Sequence, residues 1–379
     1  MAQMKAAILN IESSTVTAFL GEKDGQGKLI FKAVATAEHE GFEEGLFIDE
    51  QDTRNAIATV VNKIVSQQKV QSFIVGVTGE FLKVTVKSLT EDTPYNAKKL
   101  PKEIIEEVDN VVGYTYIYHA PIHLEDTNLK IGQVASPIRK DITVYYAKNK
   151  LINLVATVLA DFKIKNLTFL PNSLAMLNYI VPERLRNSGA ILLDVDYLSM
   201  TYAVVEGGGI SYQTACSMGG GHLLLDLYTS KTPCAVPFDA AEAMLSKLNL
   251  IQPEQEGACI EYIDKNKVYY MPVKQLKDAV MHGLDILCEV IIKCFELSRN
   301  TQSVNYPILL TGCGITDIQG VKEYLSMRLN KNIAILTPTQ LQHGKASQSS
   351  LVSLLNMGLE NKPKTNIFSK FLSNFGGKS

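Results

Sequence analysis

Residues 189–206 read Gly-Ala-Ile-Leu-Leu-Asp-Val-Asp-Tyr-Leu-Ser-Met-Thr-Tyr-Ala-Val-Val-Glu, a pattern typical of two strands joined by a tight turn. Residues 5–22 carry the same pattern, with Glu12-Ser-Ser-Thr15 as the turn. Because each hairpin begins a long α/β stretch, the two indicate an internal duplication in pattern rather than in identity. Gly312-Cys-Gly314, between a buried strand and a helix, is a third turn that can direct backbone N–H groups at a phosphate.

The composition is that of a soluble globular protein: of 379 residues, 46% are apolar and 20% are charged. The net charge of -2 lacks the basic excess of a nucleic-acid binder, so we expect no nucleic-acid partner. No apolar run reaches the roughly 18 residues that span a bilayer, and the chain begins without a signal-peptide pattern. The six cysteines show no CxxC pair or zinc-ligand spacing, as in proteins of a reducing cytosol. We therefore expect a cytoplasmic protein.

Residues 80–160 differ in their pattern of predicted strands and helices from the stretches on either side. They contain two segments with helical spacing of apolar residues, at 102–112 and 149–161. They also contain three segments of alternating residues that predict strands, at 82–87, 115–119 and 142–146. We interpret this region as a small α+β insertion.

Two segments of the second stretch carry a resemblance to a known family. The segment from Asp194 resembles the second phosphate loop of actin-like ATPases, and Ser217–Leu227 resembles the Gly-Gly-x-His-Ile-x-x-Asp-Ile segment of the FtsA family of cell-division proteins. The positions that match are Gly219, Gly220, His222 and Asp226. Further segments that resemble the family, in the family's order, are 45–49, 75–79, 241–242 and 311–314.

The resemblance covers essentially the whole chain and implies an α/β, actin-like (ribonuclease H-like) fold of two lobes, with an FtsA-type α+β insertion in the first. The division that it implies is a first lobe of 1–79, 161–188 and 346–360, an insertion of 80–160, a second lobe of 189–228 and 299–345, a small subdomain of 229–298, a linker of 361–366 and a tail of 367–379.

The family resemblance also implies a site for ATP and Mg²⁺. The residues that would hold the nucleotide, if binding is retained, are Ser13, Ser14, Asp194, Gly219, Gly220, Glu242, Gly312 and Gly314. We expect no catalytic residue and no protein-only metal site.

The phosphate loops depart from the family pattern in ways that oppose nucleotide binding. Where the first loop of the family reads Asp-Ile-Gly-Thr-Ser-Lys, this chain reads Asn10-Ile-Glu-Ser-Ser-Thr15. In the second loop, the family has three glycines where this chain has Asp196-Tyr-Leu198. One misplaced charge at about 4 Å from a phosphate costs roughly 4 kcal/mol at an effective dielectric near 20. The sequence therefore predicts a degenerate nucleotide site without meaningful hydrolysis.

The C-terminal segment predicts an amphipathic helix. Its apolar positions form one continuous stripe at helical spacing: Ile367, Phe368, Phe371, Leu372 and Phe375. Lys370 lies outside the stripe and is expected among the membrane-binding residues, and the flanking lysines Lys362, Lys364 and Lys378 can meet anionic headgroups. A terminal helix docked on the protein's own core is the alternative, but the polar linker and the dense phenylalanine content favour membrane binding.

The function that the resemblance implies is that of FtsA: a peripheral adaptor at the division site, on the inner face of the membrane. Such an adaptor binds the C-terminal tail of the tubulin-like protein FtsZ, near residues 229–298 here, and self-polymerises through its insertion. Two alternatives stay open, an active actin-like ATPase or sugar-kinase relative, and a pilus-assembly adaptor of the PilM kind.

Overall fold

The computed structural model describes residues 5–91, 111–123, 138–229, 236–298, 305–338 and 344–360. The strands, in chain order, are β1 (Lys5–Ile11), β2 (Thr15–Lys23), β3 (Leu29–Glu38), β4 (Phe42–Glu43), β5 (Leu46–Phe47), β6 (Ser72–Val77), β7 (Leu82–Glu91), β8 (Tyr114–His123), β9 (Ile138–Lys148), β10 (Asn166–Pro171), β11 (Ala190–Val195), β12 (Met200–Glu206), β13 (Gly209–Cys216), β14 (Cys259–Asp264), β15 (Lys267–Pro272), β16 (Ile308–Thr311) and β17 (Ile333–Ile335). The α-helices are α1 (Glu50–Gln67), α2 (Asn149–Asp161), α3 (Asn172–Tyr179), α4 (Glu183–Ser188), α5 (Leu225–Thr229), α6 (Phe238–Met244), α7 (Val273–Leu297), α8 (Val321–Leu329) and α9 (Ser349–Glu360).

Two five-stranded sheets repeat one topology. In the first lobe the order is β10-β6-β1-β2-β3, and in the second it is β13-β12-β11-β16-β17. Each sheet has a three-stranded antiparallel meander, β1-β2-β3 or β11-β12-β13, and two further strands that run parallel to its first strand. The duplication suggested by the two hairpins therefore extends across both sheets.

Helices cover the sheets and bury their apolar faces. Helix α1 begins where the Asp49 carboxylate accepts the N–H groups of Gln51 at 2.8 Å and Asp52 at 3.0 Å, which caps the first turn. Its residues Ile57 and Val60 are fully buried against the first sheet. In the second lobe the long helix α7 supplies much of the core through its apolar stripe. Each lobe thus has a hydrophobic core of its own.

The insertion region is a three-stranded antiparallel sheet of order β7-β9-β8. Helix α2, which the sequence analysis assigned to this region, buries its apolar face in the first-lobe core instead, so we group it with that lobe. The sheet also reaches the second lobe, where the Thr143 hydroxyl donates to the Ile210 carbonyl at 2.8 Å. Most of the helix expected at 102–112 lies outside the described residues.

None of the helices that the structure describes is long and apolar enough to cross a bilayer. The linker at 361–366 and the tail at 367–379 lie outside the described residues, so the amphipathic helix stays a prediction.

Candidate functional site

The turn between β1 and β2 carries a carboxylate that is bonded inside its own lobe. The Glu12 N–H donates to the Thr15 carbonyl at 2.8 Å, which closes the turn. Glu12 Oε1 then accepts two hydrogen bonds at 2.7 Å, one from Asn10 Nδ2 and one from the hydroxyl of Ser350 on α9. The Glu12 side chain is therefore held by the first lobe rather than left free to project into an open cleft.

Asn10 is the central connector of this network. It is fully buried, its Nδ2 donates to Glu12, and its Oδ1 accepts from Asn172 Nδ2 at 2.9 Å. An aspartate at this position has no N–H to donate and would place a second negative charge beside Glu12. Asn10 and Glu12 are therefore matched to each other.

His39 fixes the backbone of the same turn. Its Nδ1 accepts the Gly41 N–H at 3.1 Å, so the ring proton is on Nε2, which donates to the Glu12 carbonyl at 2.9 Å. Burial lowers the pKa of His39 below its usual range, which keeps the ring neutral.

The turn between β11 and β12 crosses the cleft and bonds directly to the first lobe. Asp196 Oδ2 accepts the Ser13 N–H at 3.0 Å, and the Leu198 N–H donates to Ser13 Oγ at 2.9 Å. The other oxygen, Asp196 Oδ1, accepts a hydrogen bond from the Cys313 thiol at 2.7 Å. All three turns singled out from the sequence thus meet at one aspartate.

The Asp196 carboxylate is an anion that accepts from a backbone N–H of the turn between β1 and β2. Backbone N–H groups of such turns present partial positive charge to an anion. In this protein the anion is a side chain from the opposite turn, covalently part of the chain. The two lobes are consequently held together without a ligand between them.

Little space remains in the cleft. The cavity has a volume of about 20 Å³, room for about one water molecule. The residues that line it are Glu12, Thr78, Asn172, Asp194, Asp196, Ser199, Thr201, Gly312, Cys313, Ala346, Ser347 and Ser350, and none of them is basic. A nucleoside triphosphate cannot enter this cavity as it stands.

The electrostatics of the cavity also oppose a polyanion. Burial, together with the neighbouring charges of Asp196 and Asp194, raises the pKa of Glu12 to about 8. Burial and the charge of Asp196 likewise raise the pKa of Asp194 to about 7. The charge of Asp196, which raises both pKa values, would also act against the phosphates of a nucleotide.

The side chains present do not fit ATP with Mg²⁺. A triphosphate would meet Glu12, Asp194 and Asp196 in the cavity and no basic side chain to offset its charge. The buried Asn172 Oδ1, which has no hydrogen-bond partner in the described part of the chain, can accept a hydrogen bond from a water molecule there. Within the described ranges, no group of three or more His, Cys, Asp or Glu side chains is arranged to hold a metal ion.

The glycines expected to bind nucleotide serve backbone packing. The Gly220 N–H donates to the Asp196 carbonyl at 3.0 Å and the Gly314 N–H to the Val195 carbonyl at 2.9 Å. A Cβ on Gly220 would lie 2.0 Å from the Gly314 carbonyl oxygen, and one on Gly219 would lie 2.3 Å from that of Asp196. These glycines allow the turns to touch, which is a sufficient reason for their presence.

The remaining expected residues lie around the same turns. The Ser14 carbonyl accepts the His39 N–H at 3.0 Å. Asp194 and Gly312 line the cavity, and the Glu242 carboxyl lies close to Tyr197 of the second turn. Burial raises the pKa of Glu242. Glu242, which the sequence placed among the nucleotide-binding candidates, thus lies beside a tyrosine of the chain itself.

Sequence reasoning missed Asn172 and Ser350, which complete the network around Asn10 and Glu12. The available signal was weak: Asn172 follows a buried strand directly, and Ser350 belongs to a cluster of serines at the start of α9.

Comparisons with known proteins identify the fold. No protein-family model matches the sequence, and no curated protein matches it. Among solved structures, a PilM-PilN type IV pilus biogenesis complex superposes with a TM-score of 0.64 at 14% identity, over 94% of this chain and 99% of that one. MreB 5 of Spiroplasma citri bound to AMPPNP superposes with a TM-score of 0.55 at 9% identity, over 98% of this chain and 99% of that one. The structure of a MamK double helical filament superposes with a TM-score of 0.54 at 12% identity, over 95% of this chain and 99% of that one.

These similarities confirm the predicted actin-like fold. At such low identity they establish the fold alone. The narrower assignment to the FtsA family stays a prediction.

Proposed function

We propose that this chain is an actin-like adaptor of the FtsA kind, which tethers FtsZ filaments to the inner face of the cytoplasmic membrane at the division site and does not turn over ATP. The observation that carries the proposal is the direct bond between the lobes, from the Ser13 N–H to the Asp196 carboxylate, over a cavity of about 20 Å³. An actin-like ATPase needs that space for a triphosphate. A molecule whose lobes close on themselves is suited to a scaffold role.

Self-assembly is the second part of the proposal. One of the similar structures is a double helical filament and another is a complex with a protein partner, so the fold supports both kinds of association. We assign the filament contact of this chain to its insertion sheet, β7-β9-β8, and expect head-to-tail association.

The membrane contact is assigned to the amphipathic segment at 367–379. Burial of its five apolar side chains contributes roughly 8–12 kcal/mol, and ordering about ten residues costs a comparable amount. A single tail therefore binds weakly and reversibly, whereas a row of tails on a filament binds firmly through avidity.

The FtsZ tail peptide is assigned to the small subdomain at 229–298. Its hairpin, β14-β15, turns an apolar face to solvent: Ile263 is 62% exposed, Val268 47% and Tyr270 59%. Exposed apolar side chains grouped on one face favour peptide docking over a purely structural role.

A pilus-assembly adaptor of the PilM kind is the second candidate. It is favoured by the superposition on the PilM-PilN complex, which covers 94% of this chain. The two candidates differ in their partner, so the partner decides between them.

Co-sedimentation with anionic liposomes tests the first proposal. The full chain should pellet with vesicles and carry FtsZ with it, whereas FtsZ without its C-terminal tail should stay in solution. Phe371→Glu and a chain that ends at Lys362 should both lose binding, whereas Ser373→Glu, which adds the same charge outside the stripe, should retain most of it. If all variants pellet equally, the tail is not the anchor. If FtsZ never follows, the FtsA assignment is wrong and the pilus candidate takes its place.

A further inference from the structure

The chain leaves the described residues at one end of the first-lobe sheet. Its last described residue, Glu360, accepts a hydrogen bond from Lys23 Nζ at 2.9 Å, and Lys23 is the last residue of β2. Lys5, the first residue of β1, pairs with Glu22 beside it, and β6 and β10 run parallel to β1. The starts of β1, β6 and β10 therefore lie at this end, whereas the Glu12 turn and the cleft lie at the other.

Three exposed lysines lie at this same end and form what we call the lysine patch. Lys69 precedes β6, and Lys163 and Lys165 precede β10. All three line an open depression of about 600 Å³. The other residues that line it are Val65, Val70, Gln71, Phe162 and Asn166. None of these lining residues is acidic, so the depression has the opposite charge character to the cavity in the cleft.

The positive charge of the lysine patch is not neutralised by neighbouring acids. Within the described ranges, none of the three lysines forms an ion pair. Glu22, a buried acid at the same end of the sheet, is instead paired with Lys32 at 2.8 Å and with Lys5 at 3.9 Å. Asp161, the exposed last residue of α2, does not line the depression. The patch is thus open to an anion from outside the chain.

The predicted tail brings this end of the lobe close to a membrane. From Glu360 to Ile367, where the amphipathic segment begins, the chain advances seven positions and spans at most about 25 Å. In the sheet, β10 lies three strands from β2, a distance of about 15 Å at the usual strand spacing. A lipid surface that holds the tail is therefore within reach of the lysine patch as well.

We propose that Lys69, Lys163 and Lys165 form a second membrane contact, which binds the headgroups of anionic phospholipids and orients the first lobe on the bilayer. This contact rests on the membrane tether of the proposed function. Each lysine near a negative lipid surface raises the affinity about fivefold. The half-buried Val65 and Phe162 give the same depression an apolar floor for the glycerol part of a lipid. The reach of the tail favours a lipid surface over an acidic protein as the occupant.

Co-sedimentation of the full chain with vesicles, in the absence of FtsZ, tests the contact. The vesicles are equal parts phosphatidylglycerol and phosphatidylcholine. A variant that carries Lys69→Gln, Lys163→Gln and Lys165→Gln should need about a hundredfold more lipid for half-maximal pelleting. On vesicles of phosphatidylcholine alone, this variant and the unchanged protein should pellet alike, because those headgroups carry no net charge. An unchanged lipid requirement on the anionic vesicles would overturn the proposal.

A matched control removes the same charge elsewhere. Lys265→Gln, Lys267→Gln and Lys274→Gln together change exposed positions of the small subdomain. This control should shift the lipid requirement by less than about fivefold, since charges more than about 10 Å from the lipid are largely screened. Equal losses in the two variants would show that only net charge acts and would overturn the proposal. A patch variant that loses stability in urea but binds lipid as the control does would also overturn it, because the lysines would then serve the C-terminal ends of α1 and α2.

Hydrogen exchange separates the lysine patch from the tail. The anionic vesicles should slow exchange of the amides at 66–72 and 160–166, and the three patch substitutions should abolish that protection. In Phe371→Glu the protection should need more lipid if the tail is the anchor, and the same amount of lipid if it is not. Either result supports the patch, so a failure of the tail assignment is distinguishable from a failure of the patch. Absence of protection at both segments in the unchanged protein would overturn the patch.

Soluble anions test the identity of the occupant. Glycerol phosphate and poly-glutamate, each added without vesicles, should leave exchange at 66–72 and 160–166 unchanged. Protection by either of them, with none by vesicles, would assign the depression to a soluble phosphate ester or an acidic polypeptide and overturn the membrane contact.

Discussion

Replacement of Glu12 by glutamine should remove a pH-dependent cost from the folded protein. The folded pKa of Glu12, about 8, lies above the ordinary value of 4.5, so between these pH values the folded state holds the proton more tightly than the unfolded state does. Stability is therefore fully present below pH 4.5 and is lost as the pH rises through 8. Glutamine has no proton to lose, and its Oε1 can still accept from Asn10 and Ser350.

The size of the effect follows from the same two pKa values. Integrated from pH 6 to pH 9, the Glu12 carboxyl removes about 3 kcal/mol from the free energy of unfolding. Asp194, whose folded pKa is about 7 against an ordinary 3.8, removes about 1 kcal/mol over the same range. The Glu12→Gln variant should therefore lose, between pH 6 and pH 9, only the smaller part of the free energy of unfolding, which is due to Asp194.

Urea unfolding at pH 6 and pH 9 measures this difference. Glu256→Gln, at an exposed position, is the matched control and should lose stability with pH as the unchanged protein does. If Glu12→Gln loses as much stability between the two pH values as the control, Glu12 is not a buried acid in the folded state. The reasoning about the cleft would then be wrong.

Titration calorimetry with Mg-ATP should show no micromolar binding, and Asp194→Ala should leave any background hydrolysis unchanged. A micromolar dissociation constant, or turnover that this change abolishes, would show that the cavity does accept Mg-ATP. Asn10→Asp should lower the free energy of unfolding by about 2–4 kcal/mol at pH 8, because it removes a donor to Glu12 and buries a second charge; a loss under about 0.5 kcal/mol in urea unfolding would refute the dependence of the two residues. Deletion of 82–148 through a short Gly-Ser linker should give a folded protein, because Leu82 pairs with Ala147 and the cut ends lie together. That protein should form no filaments on a lipid monolayer, and filaments seen by electron microscopy would exclude the insertion sheet as the contact.

The fold class was within reach of the sequence because its signals are local. The hairpins at 5–22 and 189–206 show apolar runs with a turn between them, and such patterns depend on residues a few positions apart. The helix expected at 149–161 appears with those bounds for the same reason. Its membership in the first-lobe core could not be predicted, since the surface it packs against lies far away in the chain.

The cleft shows the opposite case. From the sequence, Glu12 and Asp196 were two charges that repel a phosphate, with no partners of their own. In the structure Glu12 is bonded to Ser350, 338 positions away, and Asp196 to Ser13, 183 positions away. No local pattern indicates which of many serines will meet a given carboxylate.

The sequence by itself therefore determined the two α/β lobes, the three turns and the acidic residues Glu12 and Asp196 within two of those turns. The tertiary structure decided which group accepts the Ser13 N–H, namely the Asp196 carboxylate of the opposite lobe. That choice depends on the distance between an N–H on one lobe and a carboxylate on the other, and such a distance exists only once both sheets have formed and packed. Periodicity determines which residues share a face, whereas the meeting of two loops depends on how whole lobes pack.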